Sequence, residues 1–247
     1  MLRITAVSAG AVDYLLRGSN CAEHRHAPER NQDREIDGPG YFLSASEHGE
    51  APGIWGGSGL SMLGIDRGSM VTEDDVRSVF GELKDPNSGE YLGRPPRTHK
   101  SYEKLYKEAI AREPDVTPER LREIKQECLG GQRKSVAYYD LTFSPVKSVS
   151  VYYAALLAEG RTEDAAKVLA AHESAINKAM DYAEKHAAYT RTGYHGKAAD
   201  GRSVGRYEEA TGLVWTAWRH STNRDQEPQL HSHVAVLNRV VTASDGK

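Results

Sequence analysis

The chain has 247 residues and a mass of 27.2 kDa, enough for one large domain with a sizeable core. Apolar residues make up 38% and charged residues 27%, and no apolar run approaches the roughly 18 residues of a membrane span, so a transmembrane protein is excluded. Thirty-two basic against thirty-five acidic side chains leave a net charge of −3, which on its face argues against a uniformly basic nucleic-acid binder.

Leu2 to Val7 reads as a strand. The surrounding start mimics a secretion signal, but Thr5, Ser8 and Asp13 interrupt any apolar core, so it reads as a mature N-terminus. Two cysteines, Cys21 and Cys128, make neither a disulfide scaffold nor a four-cysteine zinc site, and a cytoplasmic location is expected. Gly18 to Gly68 is glycine-rich and loop-like; Trp55 within it is a candidate base-stacking residue.

Thr72 opens a helix to Leu83: Thr72 and Asp75 resemble a capping box, and Val76, Val79, Phe80 and Leu83 share a face. Asp85 to Gly89 is a turn cluster, and residues 85–135 read as a helical insertion, with a helix from Thr117 that buries Leu121, Ile124 and Cys128. Val136 to Phe143 alternates as a strand, with Tyr138, Asp140 and Thr142 on one face. Ser144-Pro145 supplies a cap and first turn for the next helix, and another runs from about Glu163 to His186. Tyr139, Tyr152 and Tyr153 are expected to pack in the core or on helix faces.

Ala188 to Tyr194, Gly212 to His220 and Gln229 to Val241 complete the strands, with Trp215 and Trp218 as packing residues. The order predicts an α+β fold, a two-layer sandwich with a central antiparallel sheet covered by helices on one face.

His231-Ser232-His233 lies in the last strand, where a period of two sends both imidazoles to one face. His220 ends the preceding strand, and the polar connection from Ser221 to Pro228 would fold it back beside the pair. Three imidazoles on one sheet face can bind a divalent cation, and Asp140 can hold a ligand histidine in its tautomer. Three imidazoles accept Zn²⁺, Mn²⁺, Ni²⁺ or Cu²⁺ readily and Mg²⁺ poorly in isolation. Neither Gly57-Ser58-Gly59 nor Gly130-Gly131 to Ser135 has the spacing of a nucleotide-binding loop, so no nucleotide cofactor is expected.

Two basic stretches offset the acidic average. Arg94 to Lys107, with Arg94, Arg97 and Lys100, carries a local +4, and Arg191 to Arg206, with Arg191, Lys197, Arg202 and Arg206, carries +3 in a hairpin-like segment. Together they form a candidate phosphate-binding track, a confined contact surface on an otherwise acidic chain.

Asp140-Leu-Thr-Phe-Ser-Pro-Val-Lys-Ser-Val-Ser150 and Pro228-Gln-Leu-His-Ser-His-Val-Ala-Val-Leu-Asn238, with His220 upstream, resemble the relaxase domains of the TrwC/TraI type, the MobF branch of the HUH endonucleases. The resemblance runs through residues 1–247 and implies an HUH relaxase palm that nicks origin-of-transfer DNA. It places Tyr14 where such relaxases keep their nucleophile and Tyr41 in the second tyrosine region, with one tyrosine at each place where many members have a pair.

The activity so implied is metal-dependent transesterification that leaves a 5′-phosphotyrosine and a free 3′-hydroxyl, with Mg²⁺ or Mn²⁺ as the ion in use and Asp140 as a catalytic residue that orients a histidine or assists proton removal from Tyr14. The implied partners are single-stranded origin DNA and other relaxosome and coupling proteins, with no membrane, for a monomer. Related readings are a rolling-circle replication initiator or a non-catalytic DNA-binding autoregulator. Relaxases of this type usually continue past the Asp245-Gly246 turn signal, so the chain is expected to be the N-terminal part of a longer protein.

Overall fold

A computed structural model describes residues 1–8, 52–95, 100, 102–113, 116–130, 135–192, 198–202, 205–223 and 227–242. Tyr14, Cys21, Tyr41, Arg97, Lys197 and the turn signal at Asp245-Gly246 lie outside the described residues.

The centre is a five-stranded antiparallel sheet made of β1 (Leu2–Ser8), β2 (Ile54–Gly56), β3 (Val136–Phe143), β6 (Trp215–Thr222) and β7 (Pro228–Leu237), in the order β1-β3-β7-β6-β2. β7 is the middle strand, and its last eight residues, Leu230 to Leu237, are all buried. Such a run is what a strand covered on both faces needs.

On one face, Val234 and Val236 meet Ile176 and Met180 of the long helix α5 (Thr162–Ala187), with Trp215 beside them. Helix α4 (Lys147–Ala158) packs on α5 and caps the start of β7, the Ser150 hydroxyl accepting a hydrogen bond from Leu230 N–H at 3.0 Å. This layer of helices on an antiparallel sheet is the predicted α+β sandwich.

The opposite face has a cover of its own, which the sequence did not predict. Ala235, Leu237, Tyr138 and Trp218 pack there against Trp55, Leu60, Leu63, Val71, Val76, Val79, Phe80 and Leu83. Trp55 stacks on Phe80 with ring centroids 5.9 Å apart, and Phe80 meets Tyr138 edge-on at 5.5 Å. Trp55 is 1% exposed and so is a core residue, not a base-stacking one.

The glycine-rich stretch is therefore structured. β2 pairs with β6, and a 3-10 helix covers Ser58–Leu63. Gly56 lies so close to the Trp215 ring that a Cβ there would come within 2.1 Å of it, and Gly57, at φ +99°, sits against the Leu213 carbonyl.

The capping box forms as predicted: Thr72 Oγ1 accepts from Asp75 N–H at 3.2 Å, and Asp75 Oδ2 accepts from Thr72 N–H at 3.3 Å. The helix it opens, α1 (Glu73–Val76), widens into a π-helix over Arg77–Glu82 and stops where Leu83 turns left-handed at φ 57°. The wider turn keeps Val76, Val79, Phe80 and Leu83 all in the core, and burial of Leu83 offsets the cost of its strained backbone.

Helices α2 (Tyr102–Arg112) and α3 (Pro118–Gly130) fall in the stretch predicted as an insertion and pack on each other. Ile124 and Cys128 are buried as expected, whereas Leu121, at the start of the same face, is only partly buried.

Ser144 does not cap α4. Its N–H still bonds the Met1 carbonyl across to β1, so the chain leaves the strand only after it, and the helix starts at Lys147 behind an extended Val146. β4 (Tyr189–Thr192) pairs with β5 (Arg206–Glu209) in a separate two-stranded ribbon, not with the main sheet. Tyr139 and Tyr152 are exposed and belong to no core.

Candidate active site

His220 and His231 are directly opposed on β6 and β7, and His233 follows two residues on, opposite Thr142 of β3 and Trp218 of β6. Strand parity puts all three rings on the face that carries Asp140 and Thr142. The centroids form a near-equilateral triangle, with His220 to His231 at 5.1 Å, His220 to His233 at 5.7 Å and His231 to His233 at 5.3 Å. All three are buried, as is Asp140.

Neighbouring acceptors set the tautomers. Nδ1 of His231 lies 2.8 Å from the Gln229 carbonyl oxygen, which can only accept, so Nδ1 carries the proton. Nδ1 of His233 lies 3.1 and 3.0 Å from Oδ1 and Oδ2 of Asp140, with Thr142 Oγ1 at 3.4 Å. A proton on Nδ1 leaves the lone pair of each ring on Nε2, the usual state of a metal-ligating histidine.

Three imidazoles gathered on one face, with Nδ1 of His231 and of His233 engaged by acceptors, suit a borderline divalent cation. Among the described residues, no three His, Cys, Asp or Glu side chains already have their donor atoms converged in ligand geometry. The backbone register gathers the rings, and holding one ion between them would require side-chain rotation.

Tyr138, two residues before Asp140 and buried on the same face, is held protonated far above the ordinary phenol range, first by burial and then by the Asp140 carboxylate. Its ring is fully buried against Phe80, which makes it a core residue.

Sequence reasoning singled out neither the Gln229 carbonyl nor the contact behind the strand. Ser232 faces the helix layer, where Nε2 of His172 lies 3.0 Å from its Oγ, beside an Arg219 to Glu173 ion pair. Burial lowers the His172 pKa; Glu173 opposes the shift and Arg219 adds to it. His172 belongs to the inner stripe of α5 with Ile176 and Met180, where its spacing marks it as a polar residue among apolar ones. A shallow pocket of about 80 Å³ lies on this helix side, lined by Ile54, Glu173, Ile176, Trp215, Arg219 and Ser232. It faces away from the histidines and is far smaller than an ordinary ligand site.

The basic residues divide. Arg94 and Arg206 are exposed. Lys100 is bound to Glu108 at 2.5 Å and Arg202 to Asp200 at 3.2 Å, so part of the positive charge in both stretches is answered within the chain. Arg191 is half-buried on the β4-β5 ribbon, with Gly205 lying against its guanidinium. Among the described residues, no helix is long and apolar enough to cross a membrane.

Comparison with known proteins agrees with this picture. The model of the TrwC relaxase family matches residues 8–247. The multifunctional conjugation protein TraI of Escherichia coli is 38% identical over 118 residues, which are 47% of this chain and 6% of that protein. TraI of Escherichia coli strain K12 is 39% identical over 110 residues, 44% of this chain and 5% of the relative. The chain thus matches only a small part of the length of these relatives.

Among solved structures, conjugative relaxase TrwC in complex with oriT DNA, metal-free, superposes with a TM-score of 0.56 at 22% identity, over 100% of this chain and 59% of that one. A metal-bound structure of the same complex gives 0.54 at 22% identity, over 100% of this chain and 60% of that one. At that identity the likeness is one of fold. The match to the family model across nearly the whole sequence, on a chain whose sheet gathers His220, His231 and His233 beside Asp140, establishes that this protein belongs to the TrwC relaxase family, of MobF type.

Proposed function

We propose that this chain is a relaxase domain that nicks origin-of-transfer DNA on one strand by tyrosine transesterification. The observation that carries the reading is the buried histidine triangle with Asp140 on Nδ1 of His233.

Tyr14 is the nucleophile. Its phenolic oxygen bonds to the scissile phosphorus as the bond to O3′ breaks, giving a 5′-phosphotyrosine and a free 3′-hydroxyl. The phosphodiester energy is kept in the new link, so the reverse attack by a 3′-hydroxyl rejoins the strand without a nucleotide cofactor. Chain length permits this assignment. Ser8 pairs with Val136 at the end of β3 remote from Thr142, and those six residues of strand measure about 20 Å. The six residues from Ser8 to Tyr14 can span a similar distance, about 20 Å when extended. Tyr41 is the candidate for a second transfer.

A divalent cation held by His220, His231 and His233, Mg²⁺ or Mn²⁺ in use with Zn²⁺, Ni²⁺ or Cu²⁺ chemically admissible, would polarise a non-bridging phosphate oxygen and offset charge in the transition state. Asp140 is buried and engaged with His233, so it acts as a positioning residue that keeps the ring turned and its Nε2 lone pair outward. Arg94 and Arg206, with Arg97, Arg191 and Lys197, supply phosphate contacts that orient the strand, and Lys100 and Arg202 join them by exchanging Glu108 and Asp200 for phosphate.

The test is incubation with single-stranded oligonucleotides tiling the origin of transfer, with Mn²⁺ or Mg²⁺, read as a protein–DNA adduct that survives SDS. His231→Ala should lower metal affinity and adduct formation together. Tight binding without an adduct under any divalent ion would make the chain a DNA-binding autoregulator instead. Cleavage confined to a replication origin would make it a rolling-circle initiator.

A further inference from the structure

The histidine face does not end at β3. Arg3 on β1 is opposite Thr142, which is opposite His233, so these residues form one row across three strands. Thr5, on the same side of β1, is opposite Asp140. In an antiparallel sheet, directly opposed residues share a face, and the 3.4 Å approach of Thr142 Oγ1 to His233 Nδ1 shows that these do. Arg3 therefore stands on the histidine side of the sheet, two strand spacings or about 10 Å from His233.

The alternation along β1 is consistent with that placement. Leu2, Ile4 and Ala6 point to the helix side, opposite Phe143, Leu141 and Tyr139. Arg3 and Thr5 point to the histidine side and are exposed, and only at Val7 does this side turn apolar, where it joins the core under Phe80 and Tyr138. On the β6 side of His233 the opposed residue is Trp218, which is buried with Gly53 against its ring. A strand of DNA lying over the three imidazoles thus has a buried wall on the β6 side and a polar, positively charged edge on the β1 side. Arg3 forms no ion pair among the described residues. Its guanidinium is a rigid fork of donors suited to a phosphate.

We propose that Arg3 is a phosphate-contact residue, holding a backbone phosphate next to the one presented to the histidines. The assignment rests on the reading that this face receives single-stranded DNA, and it adds to the basic residues named above one from β1, the outer strand of the sheet. The bland role for a charge here is protection of an edge strand against pairing with another chain.

The test is the salt dependence of binding to a fluorescein-labelled single-stranded dT oligonucleotide, compared for the wild-type chain, Arg3→Gln, Arg3→Lys and, as a control, Arg161→Ala. Arg161 is paired with Asp164 at the turn between α4 and α5, away from the histidine face. Loss of one phosphate contact on a single strand should reduce the slope of log K against log salt by about 0.7. Arg3→Gln should show that reduction together with a several-fold loss of affinity at low salt. Arg3→Lys should restore the slope, and Arg161→Ala should leave it unchanged.

An unchanged slope for Arg3→Gln overturns the proposal, and self-association with an unchanged slope leaves Arg3 as edge protection only. The measurement needs no cleavage: a wild-type chain that forms no adduct defeats the relaxase reading yet leaves the comparison of slopes to decide on Arg3.

Discussion

Asp140 grips His233 from the diagonal position on the neighbouring strand, with both carboxylate oxygens close to 3 Å from Nδ1. Asp140→Asn keeps the shape and can keep one hydrogen bond, but it removes the carboxylate that makes the ring more basic. We expect a roughly 10- to 100-fold loss of Mn²⁺ affinity by calorimetry. The melting temperature without metal should stay close to that of the wild type. An affinity within twofold of the wild type would remove Asp140 from the site.

Tyr14→Phe deletes one oxygen. The SDS-stable adduct should disappear, while affinity for an origin oligonucleotide by fluorescence anisotropy stays within about twofold, because backbone contacts supply most of the binding free energy. A surviving adduct would move the nucleophile to Tyr41, and peptide mapping of the adduct would show it.

Trp55→Ala tests the corrected role of that residue. Removing a buried indole stacked on Phe80 should destabilise the fold by about 3–5 kcal/mol in urea titrations. Trp55→Phe should recover a large part of this. Neither change should alter DNA affinity at a temperature where the variant is folded; a selective loss of binding would restore the base-stacking role.

His172 links pH to stability. Burial holds its folded pKa below the ordinary 6.5, so the unfolded chain binds more protons at mildly acidic pH. Its contribution is therefore intact above 6.5 and is lost as pH falls below that value toward the folded pKa. In His172→Gln, which keeps a polar partner for Ser232 without titrating, the drop in melting temperature between about pH 7.5 and pH 5.5 should be smaller than in the wild type, both measured with chelator present.

The arrangement of the site was legible because it rests on short-range rules. Strand parity alone places His231 with His233 and Asp140 with Thr142, and one polar connection suffices to fold His220 back onto His231. The capping box at Thr72 is equally local. Contacts between remote short segments were not legible. β2 has three residues, carries no periodicity, and exists because Trp215 closes over Gly56 more than 150 positions away. Trp55 looked solvent-facing for the same reason: its partner Phe80 comes from another element. Ser144 looked like a cap because its bond to Met1 joins the two ends of the outer strand pair.

His231 and His233 lie on β7, the middle strand of the sheet, and His220 on β6 beside it, each strand hydrogen-bonded on both sides. Strands of that kind exchange their amide protons only when the whole molecule opens. The backbone that gathers the three rings is thus part of the cooperative unit that defines the folded state. Loss of that register and global unfolding should be a single event, so a substitution in the flanking cores should disturb the register only as far as it populates the unfolded chain.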